Sequence, residues 1–162
     1  MDGILGKWNT TTVDLEVKSG SKQFNDRYHP LTMTNKETLC KEIQCLVEIG
    51  VLTPFQKLQY GTSIFIIPKK EFTMRFIMYY QNLNHKIVRK PYNFYIIVNI
   101  IQQLKGFHYA TAFDLNMGYY NIDIYPKSCY LTTIVTEFGK LRYNILPMGL
   151  CTSVDIFQSK VD

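Results

Sequence analysis

The chain of 162 residues lacks most of the features that would place it outside the cell or in a membrane. Its four cysteines, Cys40, Cys45, Cys129 and Cys151, form no C-x-x-C pair, and no Cys/His group has zinc spacing. No apolar leader opens the chain, so the cysteines read as free thiols of an intracellular protein. The longest apolar stretch, Tyr95 to Leu104, is broken by Asn99 and by Gln102 and Gln103, which makes it too short and too polar to span a bilayer. No internal repeat is present. Acidic residues are scarce in one window. Lys69, Lys70, Arg75, Lys86, Arg89 and Lys90 face only Glu71 between Lys69 and Lys90, while the rest of the chain balances at twelve charges of each sign. Such a window suits a polyanion, a nucleic acid backbone or a triphosphate, although a solvated basic face would look the same.

What is present is globular. Hydrophobic residues make up 46% and charged residues 19%, enough for one domain with a real core. Twelve Tyr and ten Phe provide stacking surface as well as packing. Residues 1–33 read as an irregular connector. Thr34 to Glu48 predicts a helix, with Thr34 and Glu37 as a capping box, an apolar stripe of Leu39, Ile43, Leu46 and Val47, and Gly50 as its stop. Ser63–Pro68 and Met74–Tyr80 predict a hairpin, whose turn lacks the glycine a tight connection favours. Tyr95 to Leu104 predicts a short helix ending at Gly106. Tyr109–Leu115, Asn121–Tyr125, Leu131–Phe138 and Leu141–Leu146 predict strands, the last two turning at Gly139-Lys140, and a helix starts at Thr152. Helices interleaved with a mostly antiparallel sheet make the fold class α+β.

One stretch carries chemistry: Ala112-Phe113-Asp114-Leu115-Asn116-Met117-Gly118-Tyr119-Tyr120. An Asp closing an apolar strand is costly to bury unpaired, so it wants a partner, and a divalent cation is a good one. The same Asp could be a turn former or a helix cap. Further along stand Leu146-Pro147-Met148-Gly149-Leu150 and Asp155-Ile156-Phe157-Gln158. Upstream stand Phe65-Ile66-Ile67-Pro68-Lys69-Lys70, Arg75-Phe76-Ile77 and Leu83-Asn84.

In this order the motifs resemble the reverse transcriptase domain of LTR retrotransposons, closest to the gypsy type, from about Trp8 to the last residue. The resemblance implies the fingers and first half of the palm of a right-hand polymerase over residues 34–162. It implies RNA- and DNA-templated DNA synthesis by two-metal phosphoryl transfer, with Mg²⁺, a template-primer and deoxynucleoside triphosphates. Asp114 matches the first metal-binding aspartate, and the carbonyl of Leu115 would be a second ligand. Lys69 and Arg75 match finger residues that grip the triphosphate. Tyr119 matches the aromatic under the sugar, and Met148 a residue packing near the incoming nucleotide. Tyr79-Tyr80-Gln81 departs from the usual Asp-Phe/Tyr-Arg, which removes an acid and a base together. Ser153-Val154 replaces Ser-Pro or Ala-Pro. Asp155 and Asp123 are not expected to be catalytic. The family's Tyr-x-Asp-Asp hairpin does not occur before Asp162. The expectation is therefore a truncated domain, inactive as a polymerase. The alternative is a basic module that binds nucleic acid or protein without chemistry.

Overall fold

A computed structural model describes Gly6, Trp8 and residues 12–57, 59–68, 74–104, 106 and 108–162. Strand β1 (Phe24–Asn25) precedes helix α1 (Met33–Glu48), then come strands β2 (Leu52–Pro54), β3 (Tyr60–Pro68) and β4 (Met74–Met78). Two helices follow, α2 (Gln81–Asn84) and α3 (Ile97–Gln103). Strands β5 (Thr133–Thr136) and β6 (Gly139–Tyr143) and helix α4 (Ser153–Val161) complete the order. The sheet runs β1-β3-β5-β6-β2, with β4 pairing β3. The β3–β4, β5–β6 and β6–β2 pairs are antiparallel, while β3 meets β1 and β5 in parallel. Among the described residues no helix is long and apolar enough to cross a membrane.

Local sequence explains most of these elements. In α1 the residues Leu39 and Leu46 are buried, with Ile43 and Val47 packed against the same core. The helix ends where Gly50 takes φ 79°, a conformation that costs glycine no Cβ clash, and Gly50 N–H donates to the Val47 carbonyl at 3.0 Å. The capping box does not form. The helix starts at Met33, one residue before Thr34, and its N-cap Thr32 makes no side-chain bond. Thr34 is thus already inside the helix, where its carbonyl accepts from Thr38 Oγ1 at 3.1 Å.

The β3–β4 hairpin is as expected, with Ile64 opposite Met78 and Ile67 opposite Arg75. Alternation sends Phe76 and Met78 into the core and leaves Arg75 exposed. The core joins the apolar stripe of α1 to the sheet: Leu39, Val51, Leu52, Ile64, Tyr80, Leu83, Ile134 and Tyr143 are all buried in one cluster. Residues 12–25 lie along this body. Leu15 is buried, Val13 bridges Ile124, and Val17 bridges Ile87.

Three strand expectations need correction. Tyr109–Leu115 forms no strand: it makes no ladder with any described residue, and both of its faces lie in solvent, with Tyr109 95% and Phe113 89% exposed. Its β-pattern is genuine, but a strand is held by its neighbours, and none is in place. Of Asn121–Tyr125, Asn121 closes a 3₁₀ turn, and among the described residues the remainder makes only single bridges, Ile124 to Val13 and Asp123 to Ile145. The β5–β6 turn consists of Glu137 and Phe138, because Thr136 pairs with Gly139. There Thr136 Oγ1 donates to the Gly139 carbonyl and accepts from Phe138 N–H, which closes the turn two residues earlier than Gly139-Lys140.

Candidate nucleotide and metal cleft

Asp114, Leu115, Tyr119 and Met148 line one open cleft of about 390 Å³, together with Phe113, Gly118 and Phe157. Three stretches of chain build it, the third being α4, which contributes Phe157 and Val161. The first leaves the unpaired run at Leu115, turns at Asn116 and Met117, and enters a short 3₁₀ turn at Gly118–Asn121. Met117 is the one described non-glycine residue with positive φ, 53°. This left-handed step is uncommon for a long side chain and redirects the backbone sharply after Asp114. Gly118 is buried against Phe157, and a Cβ there would lie 2.8 Å from Cε2 of that ring. The ring of Tyr119 sits 4.8 Å from that of Phe157, tilted by 39°, and Trp8 also meets Phe157, edge-on at 5.9 Å. The absence of a side chain at Gly118 is what lets Phe157 support Tyr119.

The second stretch is the turn Leu146–Cys151. Leu146 is fully buried, and its N–H donates to the Ile122 carbonyl at 2.8 Å. Ser153 Oγ donates to the Pro147 carbonyl at 2.7 Å. Asn84, at the end of α2, works in both directions: its Nδ2 donates to the Gly149 carbonyl at 3.0 Å, and its Oδ1 accepts from Cys151 N–H at 2.8 Å. Gly149 has φ 94°, so a side chain there would be strained. Met148 is thereby carried at the tip of a fixed turn, 52% exposed toward the cleft.

The other predicted site residues stand apart. Lys69 lies outside the described residues. Arg75 is exposed on β4 and is not among the described residues that line the cleft. Asp114 is exposed rather than set at the end of a paired strand. It is the one acid among the described residues lining the cleft, and no group of three metal-ligating side chains gathers anywhere among the described residues.

The basic window is partly neutralised within the chain. Arg89 forks onto Asp155, with Nε to Oδ2 at 2.7 Å and Nη2 to Oδ1 at 3.1 Å, and Tyr92 N–H adds a third bond to Oδ1 at 3.0 Å. Asp155 is 2% exposed, and its hydrogen bonds from Arg89 hold its carboxyl below the usual carboxylate range against the opposing pull of burial. Lys90 pairs with Glu16 at 2.6 Å on the surface, and Lys86 stands 5.8 Å from the Phe24 ring. Where the resembling family has an acid and a base, Tyr79 here hydrogen-bonds Gln81 through neutral groups. The Arg89–Asp155 fork was invisible to sequence reading, since 66 positions separate its partners.

No protein-family model matches the chain, but it has relatives of known sequence and structure. It is 26% identical over 128 residues to the retrovirus-related Pol polyprotein from transposon 412 of Drosophila melanogaster, covering 75% of this chain and 10% of that protein. It is 24% identical over 140 residues to the enzymatic polyprotein of cauliflower mosaic virus, covering 84% of this chain and 20% of that one. A crystal structure of the prototype foamy virus protease-reverse transcriptase superposes with a TM-score of 0.86 at 22% identity, over 97% of this chain and 21% of that chain. A structure of the foamy viral enzyme in complex with an RNA/DNA hybrid superposes at 0.80 and 18% identity, over 97% of this chain and 21% of that one. The chain has the fold of part of a reverse transcriptase. It spans between 10% and 21% of the length of these proteins.

Proposed function

We propose that this chain is part of the RNA-directed DNA polymerase of a gypsy-type retroelement, with fingers and the first part of the palm in residues 34–162 and a connector in 1–33. The observation that carries the reading is the convergence of Asp114, Tyr119 and Met148 on one cleft, although the last lies far from the others in sequence. In this reading Asp114 and the Leu115 carbonyl supply ligands for Mg²⁺, Tyr119 stacks beneath the sugar of a deoxynucleoside triphosphate, and Met148 packs beside it. Lys69 and Arg75 hold the triphosphate, Lys as a mobile point charge and Arg as a planar fork. An RNA or DNA template-primer is the macromolecular partner.

Divalent metal would stabilise the attacking and leaving oxygens of phosphoryl transfer. One carboxylate among the described residues of the cleft supplies one ligand position and does not complete a pair of metal sites. That single observation favours a second reading for the chain by itself: binding of nucleic acid or nucleotide without polymerisation. The two readings share the cleft and differ in turnover.

The test uses Mn²⁺ as a paramagnetic probe with a deoxynucleoside triphosphate. Signals of Leu115, Tyr119 and Met148 should broaden first, and Asp114→Asn should remove the effect. Broadening centred elsewhere, or unchanged by Asp114→Asn, would overturn the assignment. Primer extension by the purified chain should not exceed that of Asp114→Asn. Extension above that control would discard the binding-only reading.

A further inference from the structure

The connector, to which the reading above gives no part in the site, reaches the wall of the cleft. Trp8 is half-buried, and its indole meets the Phe157 ring edge-on, with centroids 5.9 Å apart and planes at 78°. Phe157 in turn carries Tyr119 at 4.8 Å. Both spacings are those of favourable ring pairs. The backbone closes the same link, because Trp8 N–H donates to the Asn121 carbonyl at 3.1 Å and Asn121 ends the 3₁₀ turn that holds Tyr119. Trp8 is thus tied to the Tyr119 turn twice, once through that bond and once through Phe157. Further bonds fix the course of the connector beside this stretch. Val13 N–H donates to the Asp123 carbonyl at 2.9 Å, and Tyr125 N–H donates to the Val13 carbonyl at 2.7 Å.

Location separates this support from ordinary packing. The three rings stand outside the main apolar core. Trp8 instead lines a second open hollow of about 400 Å³ with Leu115, Asn116 and Asn121, and Leu115 also lines the cleft. Tyr119 follows the left-handed step at Met117 in a turn of only four residues, so little within its own segment fixes its ring. A ring beneath a sugar discriminates by where its plane lies, and a small shift changes the room left for a 2′-hydroxyl. We propose that Trp8 is a positioning residue for the nucleotide: acting through Phe157, it sets the tilt of Tyr119 and with it the preference for deoxyribose over ribose. This role rests on the reading of the cleft given above.

Two measurements on the whole chain test it. Without ligand, Trp8→Ala should weaken the NMR cross-relaxation contacts between the Tyr119 and Phe157 rings, and Trp8→Phe should restore most of them. Unchanged shifts of Thr133–Thr136 would show that the fold persists. Ring contacts that ignore Trp8→Ala would overturn the proposal, whatever the chain binds. Calorimetric titration with dATP and with ATP, each with Mg²⁺, then reads the preference. The unsubstituted chain should favour dATP. Trp8→Ala should shrink that preference by about twofold to tenfold, the worth of one edge-to-face ring pair, and Trp8→Phe should keep most of it. An unchanged preference, or an equal loss of affinity for both nucleotides, would overturn the role of Trp8 while leaving the cleft intact. Equal binding of the two nucleotides by the unsubstituted chain, or none, would remove the cleft reading and the role of Trp8 with it.

Discussion

Two segments border the candidate cleft and are held in opposite ways. The Leu146–Cys151 turn is tied down by Asn84, Ser153 and the Ile122 carbonyl, and it hangs from a fully buried leucine. The run that carries Asp114 has the stronger β-pattern in sequence but no partner strand among the described residues. Irregular backbone is therefore the fixed wall, and the strand-like segment is the unsupported one. Order here follows long-range bonding rather than local propensity. Amide hydrogen exchange should separate the two walls, with slow exchange at Leu146 and Cys151 and fast exchange across Tyr109–Leu115.

The largest energetic difference should come from leucines on either wall. Leu146→Ala removes a fully buried side chain and should cost about 2–5 kcal/mol, as buried leucine truncations do. Leu115→Ala, at a position 54% exposed, should stay within about 0.5 kcal/mol. Urea unfolding of both variants checks the contrast. Equal losses would mean that the Asp114 run is packed after all.

Gly118→Ala probes the joint between the walls. The added methyl would press on the Phe157 ring and should cost about 1–3 kcal/mol, the usual range for overpacking. Shrinking the obstacle with Phe157→Leu should recover part of that loss in the double variant, a coupling that a double-mutant cycle measures. Additive losses would show that the close approach of Gly118 to Phe157 carries no energy. Asn84→Ala should cost less, about 1–2 kcal/mol, because two hydrogen bonds to a half-buried turn disappear together. Its mark should be faster exchange at Cys151, whose N–H loses its acceptor, with Tyr109–Leu115 unchanged.

These contrasts also show what the sequence revealed. Helix α1, the β3–β4 hairpin and the start of α4 were legible because their signals are local: an apolar stripe, two alternating runs, a stop at Gly50. The gathering of Asp114, Tyr119 and Met148 was anticipated through resemblance, not through any pattern within the chain. The misreadings have one cause. Alternation at Tyr109–Leu115 states which faces a strand would have, but not whether a neighbour exists to pair with it. Thr34 and Glu37 have capping-box spacing, yet the helix begins one residue earlier. The supports of the cleft, Asn84 to Gly149 and Cys151, and Gly118 to Phe157, join distant positions whose meeting only the fold decides.

The smallest expected effect concerns the fork that anchors the loop leading to α3. Asp155 accepts two bonds from Arg89 and one from Tyr92 N–H, and the Arg89 bonds are the main reason its carboxyl is more acidic folded than unfolded. A carboxyl with a depressed folded pKa binds fewer protons in the native state, so its stabilisation is complete above the unfolded value of about 3.9 and is lost as pH falls through the lower folded value. Stability should therefore decline below about pH 4 partly through this one group. Asp155→Asn keeps the shape, removes the charge and should flatten that limb of the pH profile while lowering stability at neutral pH. Because the Arg89 side chain is 54% exposed, water screens the pair and the change should be modest. The comparison variant is Glu16→Gln, which breaks a surface pair with Lys90 whose two side chains are 74% and 51% exposed. It should leave the acid limb unchanged. An equal flattening by Glu16→Gln would mean that burial of Asp155 adds nothing to the coupling.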